Sequence, residues 1–89
     1  MSIAAIIGAG PLGGAIAHKL AGRDRFEEVR LIDVAAGVAA GKALDIQQAS
    51  AVESFRTRMT SDDHVDAVAG AAVVVFADPA ESEIGRAHV

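Results

Sequence analysis

Cysteine, tryptophan and tyrosine are absent from the 89-residue sequence, and three phenylalanines are its only aromatic residues. A chain without cysteine has no disulfide framework, no thiolate metal ligand and no thiol nucleophile. This absence agrees with a reducing cytoplasm, so we expect a cytoplasmic protein. The length is sufficient for one small domain and too short for two, and we expect residues 1–89 to form a single domain.

Positive charge is also scarce. Eight Lys and Arg residues stand against twelve Asp and Glu residues, which gives a net charge of -4 at pH 7. The basic residues are scattered, whereas a nucleic-acid-binding surface concentrates them, so we expect no nucleic-acid partner. Residues 1–17 lack acidic and basic side chains, but glycines and Pro11 interrupt this apolar stretch. Because it is short for a membrane span and has no positively charged start, we expect neither a signal peptide nor a membrane partner.

Alanine is abundant and lies mainly in runs that alternate with short apolar segments. Nearly continuous apolar segments of this kind are typical of strands covered on both faces, as in a parallel sheet. The pattern predicts strands at residues 2–7, 28–33, 55–59 and 71–77, and helices at residues 12–20 and 35–52. The third strand alternates in polarity and is predicted at a sheet edge, whereas the fourth is predicted to be buried. Right-handed crossovers then give an α/β fold, an open parallel sheet of four strands with crossover helices.

Local signals predict where helices begin and end. Gly22 is predicted to end the first helix, because glycine readily adopts the left-handed conformation that follows a helix. Ser61 is predicted to cap a short helix, and the charges of Asp62, Asp63 and Asp66 suit the positive end of its dipole. We interpret these acids as a solvated helix start rather than a cation site.

The main functional signal is the segment Gly8-Ala9-Gly10-Pro11-Leu12-Gly13 between the first strand and the first helix. A G-x-G-x-x-G pattern is weak alone, but this one follows an apolar strand, opens an amphipathic helix and precedes a second strand that ends in a carboxylate. Gly8 permits a tight turn, Gly10 leaves the backbone open to a pyrophosphate, and Gly13 lets the helix approach the sheet. The N–H groups and dipole of the helix start favour a phosphate.

Asp33 ends the second strand twenty residues after Gly13, where a carboxylate accepts hydrogen bonds from the hydroxyls of an adenosine ribose. Its charge would repel a 2′-phosphate, and no basic residue follows before Lys42, so we predict NAD rather than NADP. The candidate cofactor-binding residues are Gly8, Ala9, Gly10, Pro11, Leu12, Gly13 and Asp33. Two alternatives stay open. In the first, these residues only form turns and bind nothing. In the second, they hold S-adenosylmethionine, which similar folds bind through a glycine-rich turn and an acid.

Other motifs do not support further chemistry. Residues 37–43, Gly-Val-Ala-Ala-Gly-Lys-Ala, have three rather than four residues between the glycines of a P-loop, and Ala43 replaces its Ser or Thr. A helix of small residues packed on another helix explains this segment better. His18, His64 and His88 lack metal-ligand spacing, so we expect no metal site. No nucleophile, base and acid can be combined, so we predict no catalytic residue in this chain.

Three segments resemble a known family. The turn at residues 8–13, Leu31-Ile32-Asp33 and Gly41-Lys42-Ala43-Leu44-Asp45-Ile46 are similar to the amino-terminal part of the lactate and malate dehydrogenases, and the resemblance covers residues 2–76. The string at 41–46 favours the malate-type branch. The resemblance implies a Rossmann-type fold, NAD bound by residues 8–13 and Asp33, and hydride transfer between NAD and a 2-hydroxy acid. It also implies an incomplete domain, which ends before the second half of the sheet, the substrate domain and the catalytic histidine.

The resemblance further implies a homo-oligomer, because family members have a subunit-interface helix where this sequence has residues 38–51. After residue 76 the similarity ends, since residues 77–86 contain acids and Ser82 where the family has a basic loop. The role of Arg86 therefore stays open, and we expect the 89-residue chain alone to be inactive. This divergent segment motivates an alternative, a non-catalytic module that binds or senses NAD.

Overall fold

Short strands and helices alternate along the chain, as predicted, in a computed structural model that describes residues 2–77. The strands are β1 (Ile3–Ile7), β2 (Glu28–Ile32), β3 (Arg58–Asp62) and β4 (Val73–Phe76). The helices are α1 (Pro11–Arg23), α2 (Ala36–Glu53) and a short 3-10 helix (Val65–Val68). All pairs are parallel, and the strand order is β3-β2-β1-β4. The predicted α/β fold with an open four-stranded parallel sheet is confirmed.

Helices α1 and α2 cover one face of the sheet and form the larger core with it. Alternate residues of a strand point to opposite faces, and the strand residues beneath these helices are fully buried: Ala4, Ile6, Val29 and Leu31. The helices contribute mostly alanine to this core, namely Ala17, Ala21, Ala39 and Ala43. Small side chains let both helices lie close to the sheet, so this core does not need large aromatic rings.

The opposite face of the sheet has a smaller core. Ala5, Ile7 and Ile32 are buried there, and residues in and after the 3-10 helix pack against them: Ala67, Val68 and Ala71. A strand is present within residues 71–77, but the prediction that it is buried is wrong. Val73, Val74 and Phe76 are 42%, 47% and 63% exposed. The reason is that β4 is an outer strand of the sheet formed by residues 2–77 and pairs there with β1 alone.

The predicted boundaries of β3 and of the following helix are also wrong, because pairing with β2 determines where β3 lies. Met59 pairs with Val29 and Asp62 with Ile32, so the strand covers residues 58–62 instead of the predicted 55–59. Its position at an edge of the sheet is as predicted. Ser61 lies inside this strand and therefore does not cap a helix. The 3-10 helix has His64 as its N-cap residue instead.

Helix α1 continues past Gly22 and ends at Arg23, so the predicted stop is one residue early. Asp24 follows in the left-handed conformation with a φ of 57°. Its Oδ1 atom accepts hydrogen bonds from the backbone N–H groups of Arg56 at 2.8 Å and Thr57 at 3.0 Å. These long-range bonds hold an aspartate where the sequence pattern favours glycine. Within residues 2–77, no helix has the length and apolar character needed to cross a membrane.

Candidate functional site

The glycine-rich turn lies where β1 and β2 end, at the carboxyl edge of the parallel sheet. Gly8 leaves β1 with a φ of 105°, a conformation that glycine adopts at little steric cost. Its N–H donates to the carbonyl oxygen of Ile32 at 2.7 Å, so the turn is attached to the end of β2. Ligands of open α/β sheets bind outside this carboxyl edge.

Gly13 is buried where α1 crosses the turn. A Cβ atom on Gly13 would overlap the carbonyl oxygen of Gly8 and lie 2.7 Å from its carbonyl carbon. Any side chain at this position therefore requires α1 or the turn to move. The structure thus has the close helix–sheet contact expected of the third glycine.

Helix α1 begins at Pro11 with Gly10 as its N-cap residue, and no side chain caps it. The N–H of Gly14 donates to the carbonyl oxygen of Gly10 at 2.8 Å, which closes the first turn. No acidic residue is present in this turn, and Leu12 is 61% exposed within it. Pro11 has no N–H, the N–H groups of Leu12 and Gly13 have no intrahelical acceptor, and the helix dipole adds positive potential at the same end. This helix start therefore favours an anion.

Asp33 follows β2 and joins the two halves of the site. Its Oδ2 atom accepts a hydrogen bond from the N–H of Ala9 at 2.8 Å, and its Oδ1 atom accepts one from the N–H of Ala35 at 2.9 Å. Its own N–H donates to the carbonyl oxygen of Asp62 at 3.1 Å, at the end of β3. An ionised carboxylate has about four acceptor positions, so each oxygen of Asp33 can accept a further hydrogen bond.

The structure brings all seven candidate residues together at one edge of the sheet. The helix start offers hydrogen-bond donors and positive potential, and Asp33 offers acceptors beside it. A diphosphate needs the first kind of group and the hydroxyls of a ribose need the second. The residues present therefore fit an adenine dinucleotide.

Sequence reasoning missed a buried carboxylate at the opposite edge of the sheet. The Glu28 side chain is 3% exposed and contacts Arg30 Nη2 at 2.7 Å and Arg58 Nη2 at 2.8 Å. The hydroxyl of Thr60 also donates to it at 2.6 Å. Burial opposes ionisation of Glu28, but the hydrogen bonds from Thr60, Arg58 and Arg30 outweigh it and hold its pKa below the usual value. The charges at residues 28, 30 and 58 were visible in the sequence, but only the register of β2 and β3 brings them together.

Asp24 is a second missed carboxylate at that edge. The backbone N–H of Arg56 contributes most to holding the pKa of Asp24 below its usual value. Bonds from the N–H and hydroxyl of Thr57 lower the pKa further, while desolvation opposes these effects. The Thr57 hydroxyl also lies 2.6 Å from the carbonyl oxygen of Phe26, to which it can donate. These contacts connect the end of α1 to the segment before β3, and all three bonds to the Asp24 carboxylate reach its Oδ1 atom.

The histidines of the described segment form no metal cluster. The Nε2 atom of His18 lies 2.9 Å from both carboxylate oxygens of Glu53, which connects α1 and α2. The Nδ1 atom of His64 accepts a hydrogen bond from the N–H of Asp66 at 3.2 Å. No group of three His, Asp or Glu side chains within residues 2–77 converges as a metal site. Arg86, His88 and all of the divergent 77–86 segment except Ala77 lie outside the described residues.

Comparison with known proteins gives concordant results. The chain matches the family described as "lactate/malate dehydrogenase, NAD binding domain" over residues 3–87. It is 39% identical over 71 residues to a malate dehydrogenase of Pelagibacter ubique, which covers 80% of this chain and 22% of that protein.

Two solved structures show the same similarity. The malate dehydrogenase of Salinibacter ruber superposes with a TM-score of 0.79 and 31% identity, over 83% of this chain and 24% of that one. A lactate dehydrogenase of Cryptosporidium parvum, complexed with lactic acid and nicotinamide adenine dinucleotide, superposes with a TM-score of 0.79 and 29% identity. That match covers 85% of this chain and 24% of the other. The chain thus spans about a quarter of the length of the relatives that it matches.

Proposed function

This chain belongs to the lactate/malate dehydrogenase family through its NAD-binding domain, and we propose that residues 8–13 and Asp33 hold NAD at the carboxyl edge of the sheet. The observation that carries the proposal is the hydrogen bond from the Ala9 N–H to the Asp33 carboxylate. It joins the glycine-rich turn to the acid at the end of β2. Hydrogen-bond donors for the diphosphate and hydrogen-bond acceptors for the ribose hydroxyls are thereby held side by side before a ligand binds.

Each residue has a distinct part in this proposal. The backbone from Gly8 to Gly13 faces the diphosphate, with the free N–H groups of the first turn of α1 as donors. Gly13 provides the close contact between α1 and the sheet. Asp33 keeps its bonds to Ala9 and Ala35 and uses its remaining acceptor positions for the ribose hydroxyls. Its charge disfavours the 2′-phosphate of NADP.

We further propose that the chain is the cofactor-holding part of a malate-type dehydrogenase. The string at residues 41–46 and the 39% identity to a malate dehydrogenase support this branch. When bound, NAD supplies hydride transfer at its nicotinamide ring to or from a 2-hydroxy acid. The residues of this chain bind and orient the cofactor, and none of them is assigned a catalytic role.

The exposed side of α2 supports a homo-oligomer. Val38, Leu44 and Val52 are 49%, 57% and 87% exposed along this helix. A Cβ on Gly37 or Gly41 would meet nothing within 4 Å, so this side of α2 can accept a close neighbour. We propose that a second copy of the chain covers it, because an apolar helix surface of this kind is typical of interfaces.

The test of NAD binding is replacement of Asp33 by Ala. Loss of the ribose acceptor and of the bond to Ala9 should weaken NADH binding about tenfold or more, in line with about 1.5–3 kcal/mol for hydrogen bonds to charged groups. The preference for NADH over NADPH should fall at the same time. Fluorescence titration of both nucleotides measures both effects.

The matched control is Asp66→Ala, which removes an exposed acid of the 3-10 helix. It should change the affinity for NADH by less than about twofold. Unchanged affinity for both nucleotides in the Asp33 variant would show that this carboxylate does not bind the ribose. Malate and lactate oxidation by the product of the complete gene then separates two possibilities. Turnover supports the dehydrogenase, and saturable NADH binding without turnover supports a binding module.

The oligomer proposal is tested with Leu44→Glu. A charge in a buried helix interface should shift the chain to monomer in sedimentation velocity. Lys19→Gln, at an exposed position of α1, makes the same change in net charge and should leave the oligomeric state unchanged. A parent chain that is already monomeric at high concentration would contradict the proposal.

A further inference from the structure

A lysine from α2 lies against the start of α1. The Cδ, Cε and Cγ atoms of Lys42 lie 2.9, 3.0 and 3.2 Å from the position that a Cβ on Gly14 would occupy. Gly14 closes the first turn of α1 through its bond to the carbonyl oxygen of Gly10. The stem of Lys42 therefore occupies the space left by the absent side chain of Gly14, a glycine outside the G-x-G-x-x-G pattern.

This contact places a positive charge near the helix start. The ammonium of Lys42 is one bond beyond its Cε atom, so it lies within about two helical turns, roughly 10 Å, of the first-turn N–H groups. This separation is comparable to the Debye length of about 8 Å at physiological ionic strength. The charge is therefore felt at the first turn, to which no acidic residue contributes.

The surroundings of Lys42 leave this charge only partly compensated. It lies in a groove between α1 and α2 that is also lined by Pro11, Gly14, His18 and Asp45. Asp45 is the acid of this groove, three residues further along α2, but no ion pair joins it to Lys42 in the described part of the chain. His18 lies against Glu53 instead. Pro11 connects the groove directly to the glycine-rich turn.

We propose that the charge of Lys42, in the groove between α1 and α2, stabilises the diphosphate of the bound dinucleotide electrostatically. This inference rests on the proposed function. Lys42 adds a fixed positive charge to the dipole and N–H groups of the helix start, without being required to contact the phosphates. This assigns Gly14 a role as well, since a larger residue there would displace the lysine stem. It also means that α2, which is proposed to face a second subunit, contributes to cofactor affinity.

The test compares ligands that differ in phosphate. Lys42→Met keeps an unbranched apolar stem and removes the charge. The variant should bind ADP and NADH about three- to tenfold more weakly than the parent chain, and adenosine within about twofold of it, because adenosine has no diphosphate. The difference in ADP affinity should disappear at about 1 M salt, where the Debye length falls to about 3 Å. A purely structural role would affect all three ligands and would persist in salt.

Three controls sharpen the result. Lys19→Met removes an exposed lysine from α1 and should leave ADP affinity unchanged. Lys42→Arg keeps the charge and should restore binding, and Asp45→Asn removes the nearby acid and should not weaken ADP binding. Lys42→Gln provides a second uncharged variant if the methionine variant does not fold.

Equal ADP affinity in Lys42→Met and the parent chain, with saturable NADH binding by both, would overturn this inference and leave the proposed function intact. Equal losses for ADP and adenosine would overturn it as well, because they indicate a packing effect. A parent chain that binds neither NADH nor ADP would contradict the proposed function itself.

Discussion

The two edges of the sheet use carboxylates in opposite ways. At the amino edge, Glu28 is buried among donors from the protein itself, the Oδ1 atom of Asp24 accepts bonds from Arg56 and Thr57, and both carboxylates have lowered pKa values. At the carboxyl edge, Asp33 has one backbone donor on each oxygen, and the neighbouring helix start has no side-chain cap. The amino edge thus pairs its buried carboxylate, Glu28, within the protein, and the carboxyl edge keeps donors and acceptors available.

The two edges thus separate the residues that stabilise the fold from the residues proposed to bind a ligand. The contacts of Glu28 and Asp24 connect β2, β3 and the end of α1, so they hold the sheet and helices in register. At the carboxyl edge, backbone N–H groups make most of the connecting bonds, and acceptor positions of Asp33 stay available for a ligand. Substitutions at the amino edge should therefore change folding, and substitutions at the carboxyl edge should change binding. Gly13 is the exception, because it belongs to both the core contact and the site.

The largest effect is expected for Gly13→Ala. The added methyl group would overlap the carbonyl oxygen of Gly8, so α1 and the turn must separate. We expect a loss of about 3 kcal/mol in the free energy of unfolding, in the upper range for overpacking. NADH affinity should fall at least tenfold as the turn is displaced. Urea denaturation and fluorescence titration measure the two effects.

Gly22→Ala is the matched control on the same helix, because an added Cβ on the exposed Gly22 would meet only the Oε1 atom of Glu53, at an ordinary contact distance of 3.9 Å. Its stability should rise by about 0.5–1 kcal/mol, since alanine is the better helix former. Equal stability of the Gly13 variant and the parent chain would show that α1 can move away from the turn at little cost.

A smaller effect, confined to folding, is expected for Glu28→Gln. The variant keeps the shape of the side chain and loses its charge, so the bonds from Arg30, Arg58 and Thr60 weaken. We expect the free energy of unfolding to fall by about 2 kcal/mol, while the NADH dissociation constant changes by less than about twofold. Impaired NADH binding by a stably folded Glu28 variant would contradict the claim that the amino edge affects folding and not binding.

The pH dependence of the Glu28 effect has a definite sign. A carboxylate whose pKa is lower in the folded than in the unfolded state stabilises the fold above its ordinary pKa, which is 4.5 for glutamate. That contribution is lost as the pH falls through the lowered folded-state pKa. The stability difference between the parent chain and Glu28→Gln should therefore be constant between about pH 6 and 8 and shrink below about pH 4. A difference that persisted in acid would assign the effect to packing instead.

The sequence predicted local features well and long-range features poorly. The apolar runs, the glycine-rich turn and the acid after β2 are local patterns, and they led to the parallel sheet and to the set of residues at its carboxyl edge. The position of β3, the left-handed Asp24 and the Glu28 cluster depend on contacts between residues about 30 positions apart in sequence. Whether β4 is buried depends on which strands and helices lie beside it, and the apolar residues of β4 do not indicate these neighbours.

The central claim is that NAD binds at the carboxyl edge, on the turn joined to Asp33. Its most direct test is titration of isotope-labelled chain with NADH, followed by the backbone amide signals in NMR spectra. We predict saturable shifts at residues 8–14 and 33–35, and no change at residues 56–60 of the amino edge. Saturable shifts centred on the amino edge, or none at the glycine-rich turn at millimolar NADH, would contradict the claim.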